Sequence, residues 1–351
     1  MTLHSDTKKR CQAFWAGSAY ERCCLFLTAS AGAQGRPVPG DVTQQWEDLD
    51  LRTQMALWDT ENTLYYADAF PSVFTNFGPG CLSAMVGGRY RWAPHTVWFE
   101  NEPVITDWAS APAPALRRDS DMFRLADALT EKLMDAGRGR FFTSVTDIGG
   151  TYDIIASLRG TQDLLTDLLD YPDEVKAYAA QLRPVWMDYF QHYARRAIAR
   201  QGGQTCWMPI WSDTPWYPLQ CDFSAMLSPE MFEEFVLPDL RWQTERMDRS
   251  VYHLDGPGEL FHVKHLLSLP RLNAIQWTSG SGAEDIADER WFGLYEEIQA
   301  AGKGLVLLGV DPDKLENLLR HVSTRGLYIT CRTQAARAGE IIRMVNSFGG
   351  R

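Results

Sequence analysis

The sequence has no hydrophobic run that approaches the roughly 20 apolar residues a membrane-spanning helix needs. Its polar start, Met1 to Asp6, does not resemble a signal peptide, so we expect a cytoplasmic protein without a membrane partner. Positive charge is also scarce, since 34 Lys and Arg face 45 Asp and Glu and the net charge is −11. Phosphate backbones repel so acidic a protein, which makes nucleic acid an unfavourable partner.

Several common signatures are missing as well. No G-x-G-x-x-G follows a candidate strand, no Walker-A loop is present, and no segment repeats at a fixed period. These absences argue against dinucleotide-binding, P-loop and repeat folds. The seven cysteines are an odd number without a C-x-x-C pair, as in intracellular proteins where most cysteines are small buried residues. One or two of them could still be ligands or nucleophiles.

What is present is the composition of a folded protein, with 45% hydrophobic and 23% charged residues over 351 positions. From residue 140 onward, short apolar runs alternate with amphipathic stretches, the pattern of a parallel sheet covered by helices. Eight strands are predicted near residues 24, 96, 140, 205, 250, 274, 305 and 327. We therefore expect an α/β protein, a single (β/α)8 TIM barrel over residues 1–351. A helical extension would occupy 1–22, and a loop-rich region over 31–110 would cover the barrel mouth.

Polar and aromatic residues collect where the predicted strands end. In a barrel these positions form the rim that carries the chemistry. The alternative is that strand ends are polar simply because loops are wet. The rim positions are Asp147, Trp211, Asp213, His253, Asp255, Gln276, Trp277 and Cys331.

The segment Val251 to Gly258 combines a buried strand with an abrupt Gly-Pro-Gly turn. Residues two apart on a strand point the same way, so His253 and Asp255 should leave it on one face. Together with the thiol of Cys331 they would form a Zn²⁺ site, with a fourth position open or taken by Gln276. In the alternative interpretation, His253 is a hydrogen-bonded histidine and Cys331 packs in the core.

Substrate-binding residues are expected around this centre. The indoles of Trp98, Trp211 and Trp277 could wall a pocket for a flat or cationic ligand, or could pack beneath large loops. Arg159 and Arg332 could bind a substrate carboxylate, although most arginines serve solvation. Asn76 lies in the shaped loop Phe70 to Gly80, and long irregular segments are usually functional.

The run Ser228 to Pro238, the His-x-acidic-Gly turn at 253–256 and Cys331 together resemble the uroporphyrinogen decarboxylase superfamily. The resemblance is best between about residues 140 and 345. It implies a (β/α)8 barrel and an activity either as a decarboxylase or as a zinc-dependent methyltransferase that exchanges methyl groups with a corrinoid protein. In the methyltransferase branch the ligands follow a His-x-Cys … Cys pattern, which His253 and Cys331 match. Asp255 stands where the first Cys would be, and makes a harder metal centre.

The decarboxylase branch carries an arginine-rich motif after its first strand, and residues 28–36 of this chain lack it. The expected function is therefore a zinc-dependent methyltransferase acting on a small methylated substrate or acceptor, with a cobalamin-bearing corrinoid protein as partner. Asp147, Asp213 or Asp222 would orient substrate or move a proton. A metal-independent decarboxylase or lyase and a non-catalytic small-ligand-binding barrel remain alternatives. The sequence leaves the oligomeric state open.

Overall fold

A computed structural model describes residues 3–99, 102–280 and 282–349. Strands alternate with helices over the second half of the chain, which confirms the α/β class. Within those residues, no helix combines the length and the apolar character needed to cross a bilayer. The strands are β1 Cys24–Ser30, β2 Thr63–Ala67, β3 Ser72–Phe74, β4 Arg91–Trp92, β5 Val97–Trp98, β6 Phe142–Ser144, β7 Trp216–Leu219, β8 Arg249–Asp255, β9 Ala274–Thr278, β10 Gly304–Val310 and β11 Leu327–Thr333.

Seven strands form the main sheet, in the order β2-β1-β11-β10-β9-β8-β7. Every neighbouring pair is parallel except β1 and β2, which are antiparallel. The short strands β3 and β6 pair in parallel as a separate sheet, and β4 with β5 make a small antiparallel ribbon. Because six parallel strands end at the same edge, the loops that follow them converge there.

The helices cover the sheet and the segments between strands. They are α1 Ser5–Trp15, α2 Val42–Glu47, α3 Leu49–Glu61, α4 Leu82–Met85, α5 Asp121–Ala136, α6 Thr151–Arg159, α7 Thr161–Asp170, α8 Pro172–Gln201, α9 Pro229–Met231, α10 Leu237–Thr244, α11 Val263–Leu267, α12 Phe292–Ala300, α13 Leu315–His321 and α14 Ala338–Ser347. A π-helical turn at Phe232–Val236 joins α9 to α10, and a 3-10 turn at Asp222–Met226 follows β7.

Local sequence explains why these elements begin and end where they do. The hydroxyl of Ser120 accepts a hydrogen bond from the Phe123 amide and caps α5, which ends at Gly137. Pro172 opens α8, where its missing N–H costs nothing. The strands β8 to β11 are rich in Val, Ile, Leu and Tyr and are buried along most of their length. They therefore form the centre of the core.

Helix α1 packs against the amino-terminal edge of the main sheet. Phe14 contacts Tyr328 of β11 edge-to-face at 5.6 Å, and Trp15 contacts Trp216, the first residue of β7, at 5.0 Å. These large rings are buried, so that edge of the sheet is filled with apolar side chains. The opposite edge, formed by the carboxyl ends of the strands, is therefore the edge at which a functional site is expected.

The closed eight-stranded barrel is not seen in the described residues, because the main sheet ends at β2 on one side and at β7 on the other. The strand predicted over 205–212 is wrong. That stretch makes only an isolated bridge between Gln204 and Ser212, and the strand begins later, at Trp216. Pro209 interrupts it, and a proline has no amide to donate to a ladder.

The strand predicted at 96–100 is reduced to Val97–Trp98, and Glu100 lies outside the described residues. The region expected to be loop-rich, 31–110, contains α2, α3 and the strands β2 to β5. Its poor periodicity arises because these elements are short and most of their residues are half-buried.

A candidate metal centre at the carboxyl ends of the parallel strands

Three potential metal ligands meet beyond the carboxyl ends of β7 and β8. Asp222, His253 and Asp255 each bring one nitrogen or oxygen ligand atom within 4.8 Å of the others. His253 and Asp255 are two residues apart on β8 and so project from the same face, as predicted. Asp222 reaches them from the 3-10 turn after β7, the neighbouring strand. One imidazole and two carboxylates form a donor set that suits a divalent cation such as Zn²⁺.

The imidazole of His253 is held in the form that a metal requires. Gln276, its register partner on β9, donates its amide N–H to Thr278 Oγ1 at 2.7 Å and turns its carbonyl oxygen to His253 Nδ1. Nδ1 therefore carries the proton, and the lone pair lies on Nε2. Burial also lowers the pKa of His253, so the ring is neutral at pH 7. The indole of Trp207 packs edge-to-face on this ring at 5.1 Å.

Carboxyl groups crowd the same place. Burial, and then the charges of Asp153, Asp255 and Asp147, raise the pKa of Asp222 to about 8. Although solvent in the cleft reaches the side chain of Asp222, the carboxyl groups of its neighbours lie close to it. Burial also raises the pKa of Asp147 to about 6 and the pKa of Asp153 above its ordinary value. A cation placed among these groups would relieve their mutual repulsion.

Glu259 is a further member of this group of carboxyl side chains, which we call the acidic cluster and which also contains Asp147, Asp153, Asp222 and Asp255. It is fully buried, and its Oε2 accepts a hydrogen bond from the Asp255 amide at 3.2 Å. Its Oε1 has no hydrogen-bond partner among the described residues. Burial, and then the charge of Asp222, raise the pKa of Glu259 to about 9, so it holds a proton at neutral pH. The site thus stores protons that a bound cation could displace.

A cavity of about 330 Å³ opens onto Asp222. Its wall includes the apolar side chains of Trp98, Phe99, Phe223 and Met226 together with the carboxyl group of Asp153. Trp98 is 46% exposed and Met226 49%, both high values for large apolar side chains. No Lys or Arg lines this cavity in the described part of the chain. It is therefore suited to a small ligand with an apolar part and a neutral or cationic group.

The structure does not bring Cys331 into the metal centre. Among residues 3–99, 102–280 and 282–349, its sulfur belongs to no group of three ligand atoms with His253 and Asp255. Its strand, β11, is separated from β8 by β9 and β10. Burial, and then the nearby Asp311, raise the pKa of the Cys331 thiol to about 12. The third ligand atom beside His253 and Asp255 belongs to a carboxylate, that of Asp222.

Two predicted rim residues lie at the wrong end of the sheet. Asp213 pairs with Arg249, the first residue of β8, at 2.7 Å, whereas the metal ligands stand at the far end of that strand. Trp211 is buried near α1, where its carbonyl accepts a hydrogen bond from the indole of Trp15. Both predictions failed for one reason: these residues precede strand β7 instead of following a strand.

Trp277 and Arg159 make contacts that stabilise the fold. Trp277 is fully buried and packs against Trp291 at 4.9 Å, on the opposite face of β9 from Gln276. Arg159 pairs with Asp167 at 2.6 Å and donates hydrogen bonds to the carbonyl oxygens of Ile105 and Thr106. These contacts connect α6 to α7 and to the segment between β5 and α5. Neither lines the cavity beside Asp222.

Of the other predicted residues, Asp147 lies near the acidic cluster, and Trp98, Asn76 and Arg332 line cavities. Asp147 accepts hydrogen bonds from the Gly149 amide at 2.9 Å and from Tyr217 Oη at 3.3 Å, near the acidic cluster. Trp98 walls the cavity described above. Asn76 and Arg332 line two adjoining cavities elsewhere.

Sequence reasoning missed Asp153 and Glu259 as members of the site. Glu259 carried a detectable signal, because it stands four residues after Asp255 in the same turn. Asp153 sits in the first turn of α6 and reaches the cluster by accepting the Phe223 amide at 2.8 Å, a contact no local pattern predicts.

No protein-family model and no curated protein matches the chain. A solved structure described as a methyltransferase from Methanosarcina mazei is similar in fold, with a TM-score of 0.62 and 11% sequence identity. The similarity covers 97% of this chain and 98% of that one, so it extends over the whole molecule. The two chains therefore share an architecture, that of a protein described as a methyltransferase.

Proposed function

We propose that this protein is a metal-dependent methyltransferase whose cation is held by Asp222, His253 and Asp255. The convergence of these three ligand atoms within 4.8 Å, at the edge where parallel strands end, carries the proposal. The fold that the chain shares with a protein described as a methyltransferase supports the reaction class. A Zn²⁺ ion bound here would polarise the heteroatom that carries or accepts the methyl group.

The surrounding residues have separate tasks in this proposal. Gln276 fixes the ring of His253, as outer-shell partners of metal-bound histidines do. Trp98 and Phe223 hold the apolar part of the substrate in the 330 Å³ cavity and exclude water. Asp153 lines the same cavity, and its raised pKa lets it hold a proton. When the methyl group is transferred, the substrate heteroatom keeps the electron pair of the broken bond to the methyl carbon. Asp153 can then donate a proton to that heteroatom.

The charge of the cavity limits the substrate. Asp153 and Asp222 are its ionisable lining residues, and no Lys or Arg accompanies them in the described part of the chain. A substrate carboxylate would find no basic side chain to pair with, so a neutral or cationic methylated compound is favoured. The same argument disfavours decarboxylation, because a carboxylic acid substrate needs a counter-charge here. The methyl acceptor in this proposal is the corrinoid of a partner protein.

Metal titration of the chelator-treated protein tests the ligand set. We expect Zn²⁺ to bind with one site per chain, and Asp222→Asn and His253→Ala each to weaken binding by about tenfold or more. Cys331→Ser is the matched control, because the structure places this sulfur outside the centre. Unchanged binding in Asp222→Asn together with loss in Cys331→Ser would overturn the ligand set in favour of the thiol.

Methyl transfer is then tested with the metal-loaded protein. Cob(I)alamin is mixed with methylated amines, ethers and thioethers, and formation of methylcobalamin is followed by its absorption change. We expect a neutral or cationic donor to react and His253→Ala to abolish the reaction. If the metal binds but no donor and no methylcobalamin-acceptor pair gives a change, the methyltransferase proposal fails and the metal site stands alone.

A further inference from the structure

A second cleft lies between the edge strand β2 and the small sheet of β3 and β6. It consists of a cavity of about 400 Å³ and an adjoining one of about 290 Å³. The two cavities share Asp59 and Thr63 as lining residues. We call them together the β2 cleft. Neither contains a residue of the metal centre.

The β2 cleft has an excess of positive charge, unlike the protein as a whole. Its charged lining residues are three arginines and Asp59. Arg36 and Asp59 neutralise each other through two hydrogen bonds of 2.6 and 2.7 Å. That leaves Arg52 and Arg332, and in the part of the chain that the structure describes neither forms an ion pair. The β2 cleft therefore carries a local excess of positive charge on a chain of net charge −11.

Arg52 is the better placed of the two. Its guanidinium packs over the ring of Phe77 at 4.3 Å and near that of Trp46 at 5.8 Å. Its two amino groups donate to the carbonyl oxygens of Trp46 and Asn76, which hold the guanidinium in place without cancelling its charge. Burial lowers the pKa of Arg52 to about 10, which reflects the cost of keeping this cation away from water. An anion in the cleft would offset that cost.

The rest of the larger cavity is mostly apolar or weakly polar. Val73 and Phe74 of β3 line it together with Met55 of α3 and Leu133 of α5. Tyr65 of β2 contributes an aromatic ring with a polar end. A ligand that fits must therefore combine one anionic group with an apolar body.

We propose that the β2 cleft binds a small organic anion, with its carboxylate or phosphate group at Arg52 and its apolar body against β3 and α5. Arginine suits both groups, because its fork of N–H donors matches planar oxyanions. Arg332 lies at the carboxyl end of β11 and can attract a second negative charge on the same ligand. This site is independent of the metal centre and of the methyltransferase proposal.

Isothermal titration of the chelator-treated full chain tests this proposal with benzoate, phenyl phosphate and the neutral benzamide. We expect at least one anion to bind and benzamide to bind at least tenfold more weakly, since a charge-assisted hydrogen bond is lost. The two anions distinguish a carboxylate site from a phosphate site. Arg52→Gln should weaken anion binding by about tenfold or more, and Arg89→Gln, an exposed arginine paired with Glu102, should not.

Val73→Phe provides a second variant that fills the cavity without touching the arginine. It should weaken binding of the same anion, and His253→Ala should leave binding unchanged because the metal centre is elsewhere. Absence of anion binding at millimolar concentrations, or equal binding of benzamide and benzoate, would overturn the proposal. So would full retention of binding in both Arg52→Gln and Val73→Phe.

Discussion

At the scale of single residues, Gln276 decides whether His253 can act as a ligand. Its carbonyl oxygen faces Nδ1 of His253, and its own amide is oriented by Thr278. In Gln276→Leu the ring loses the acceptor that fixes its tautomer and orientation. We expect Zn²⁺ affinity to fall about 10- to 100-fold, the usual effect of removing such a partner. Gln276→Glu, which keeps an acceptor, should retain most of the affinity in the same titration.

The raised pKa of Asp222 makes metal binding depend on pH. The carboxyl group must lose its proton to become a ligand, and half of the metal-free molecules still hold that proton near pH 8. His253 has a lowered pKa and is already neutral, so it adds no requirement above pH 7. The apparent Zn²⁺ affinity should therefore rise as the pH is raised from 6 to about 9 and then level off. Proton release during titration, measured in buffers of different ionisation enthalpy, checks this; an affinity independent of pH would contradict it.

At the scale of elements, the metal centre depends on the turn that follows β7. Gly150, the residue before α6, lies against that turn, and a Cβ atom added there would approach the carbonyl oxygen of Gln220 to 2.1 Å. The same Cβ would lie 2.6 Å from the carboxylate of Asp153. This close approach explains a glycine at a position whose backbone conformation does not require one. The spacing between α6 and β7 thus sets the position of Asp222.

Gly150→Ala should push the turn away from the start of α6. We expect a loss of about 1–3 kcal/mol in the free energy of unfolding, the usual cost of overpacking. Zn²⁺ affinity should fall as well, because Asp222 moves with Gln220. Gly293→Ala is the matched control: it lies inside α12 and a Cβ there meets nothing within 4 Å, so it should be neutral or stabilising. Normal metal binding in Gly150→Ala would show that the turn is not coupled to the centre.

At the scale of the whole molecule, the sequence predicts best where long strands are buried. The strands at 24, 250, 274, 305 and 327 are confirmed, since each is an apolar run of five to seven residues. Residues 205–212 looked similar, but Pro209 interrupts them, and the strand is formed by Trp216–Leu219 instead. Because the strand begins at Trp216, Asp213 and Trp211 precede it and lie at the opposite end of the sheet from the predicted position. The same shift of the strand also concealed the position of Asp222 beside His253 and Asp255, although the residue itself was among the candidates.

Contacts between distant segments were beyond sequence reasoning. The pairing of β3 with β6 joins residues about 70 positions apart through three-residue strands, which carry almost no periodic signal. His253 and Asp255 were found because two residues on one strand share a face. Cys331 was placed with them because it lies at the end of a predicted strand and matches the resembling family, and the side chain that lies beside them comes instead from the turn after the neighbouring strand β7. Local spacing therefore predicted two of the three candidate ligands, and packing between distant segments brings in the third.

The acidic cluster should couple the stability of the whole molecule to pH. Glu259 has a pKa of about 9 in the folded protein, and an unfolded glutamate loses its proton near pH 4. Between these values unfolding releases a proton, so the metal-free protein should become less stable as the pH rises toward 9. Glu259→Gln, which cannot ionise, should flatten this dependence of the melting temperature, whereas the exposed control Asp248→Asn should not. Added Zn²⁺ should raise the melting temperature more at pH 8 than at pH 6. The cation must displace protons from the acidic cluster, and fewer of these protons are bound at pH 8. A melting temperature that rises between pH 6 and pH 9 without metal would contradict the assignment of these carboxyl groups as a proton-loaded cation site.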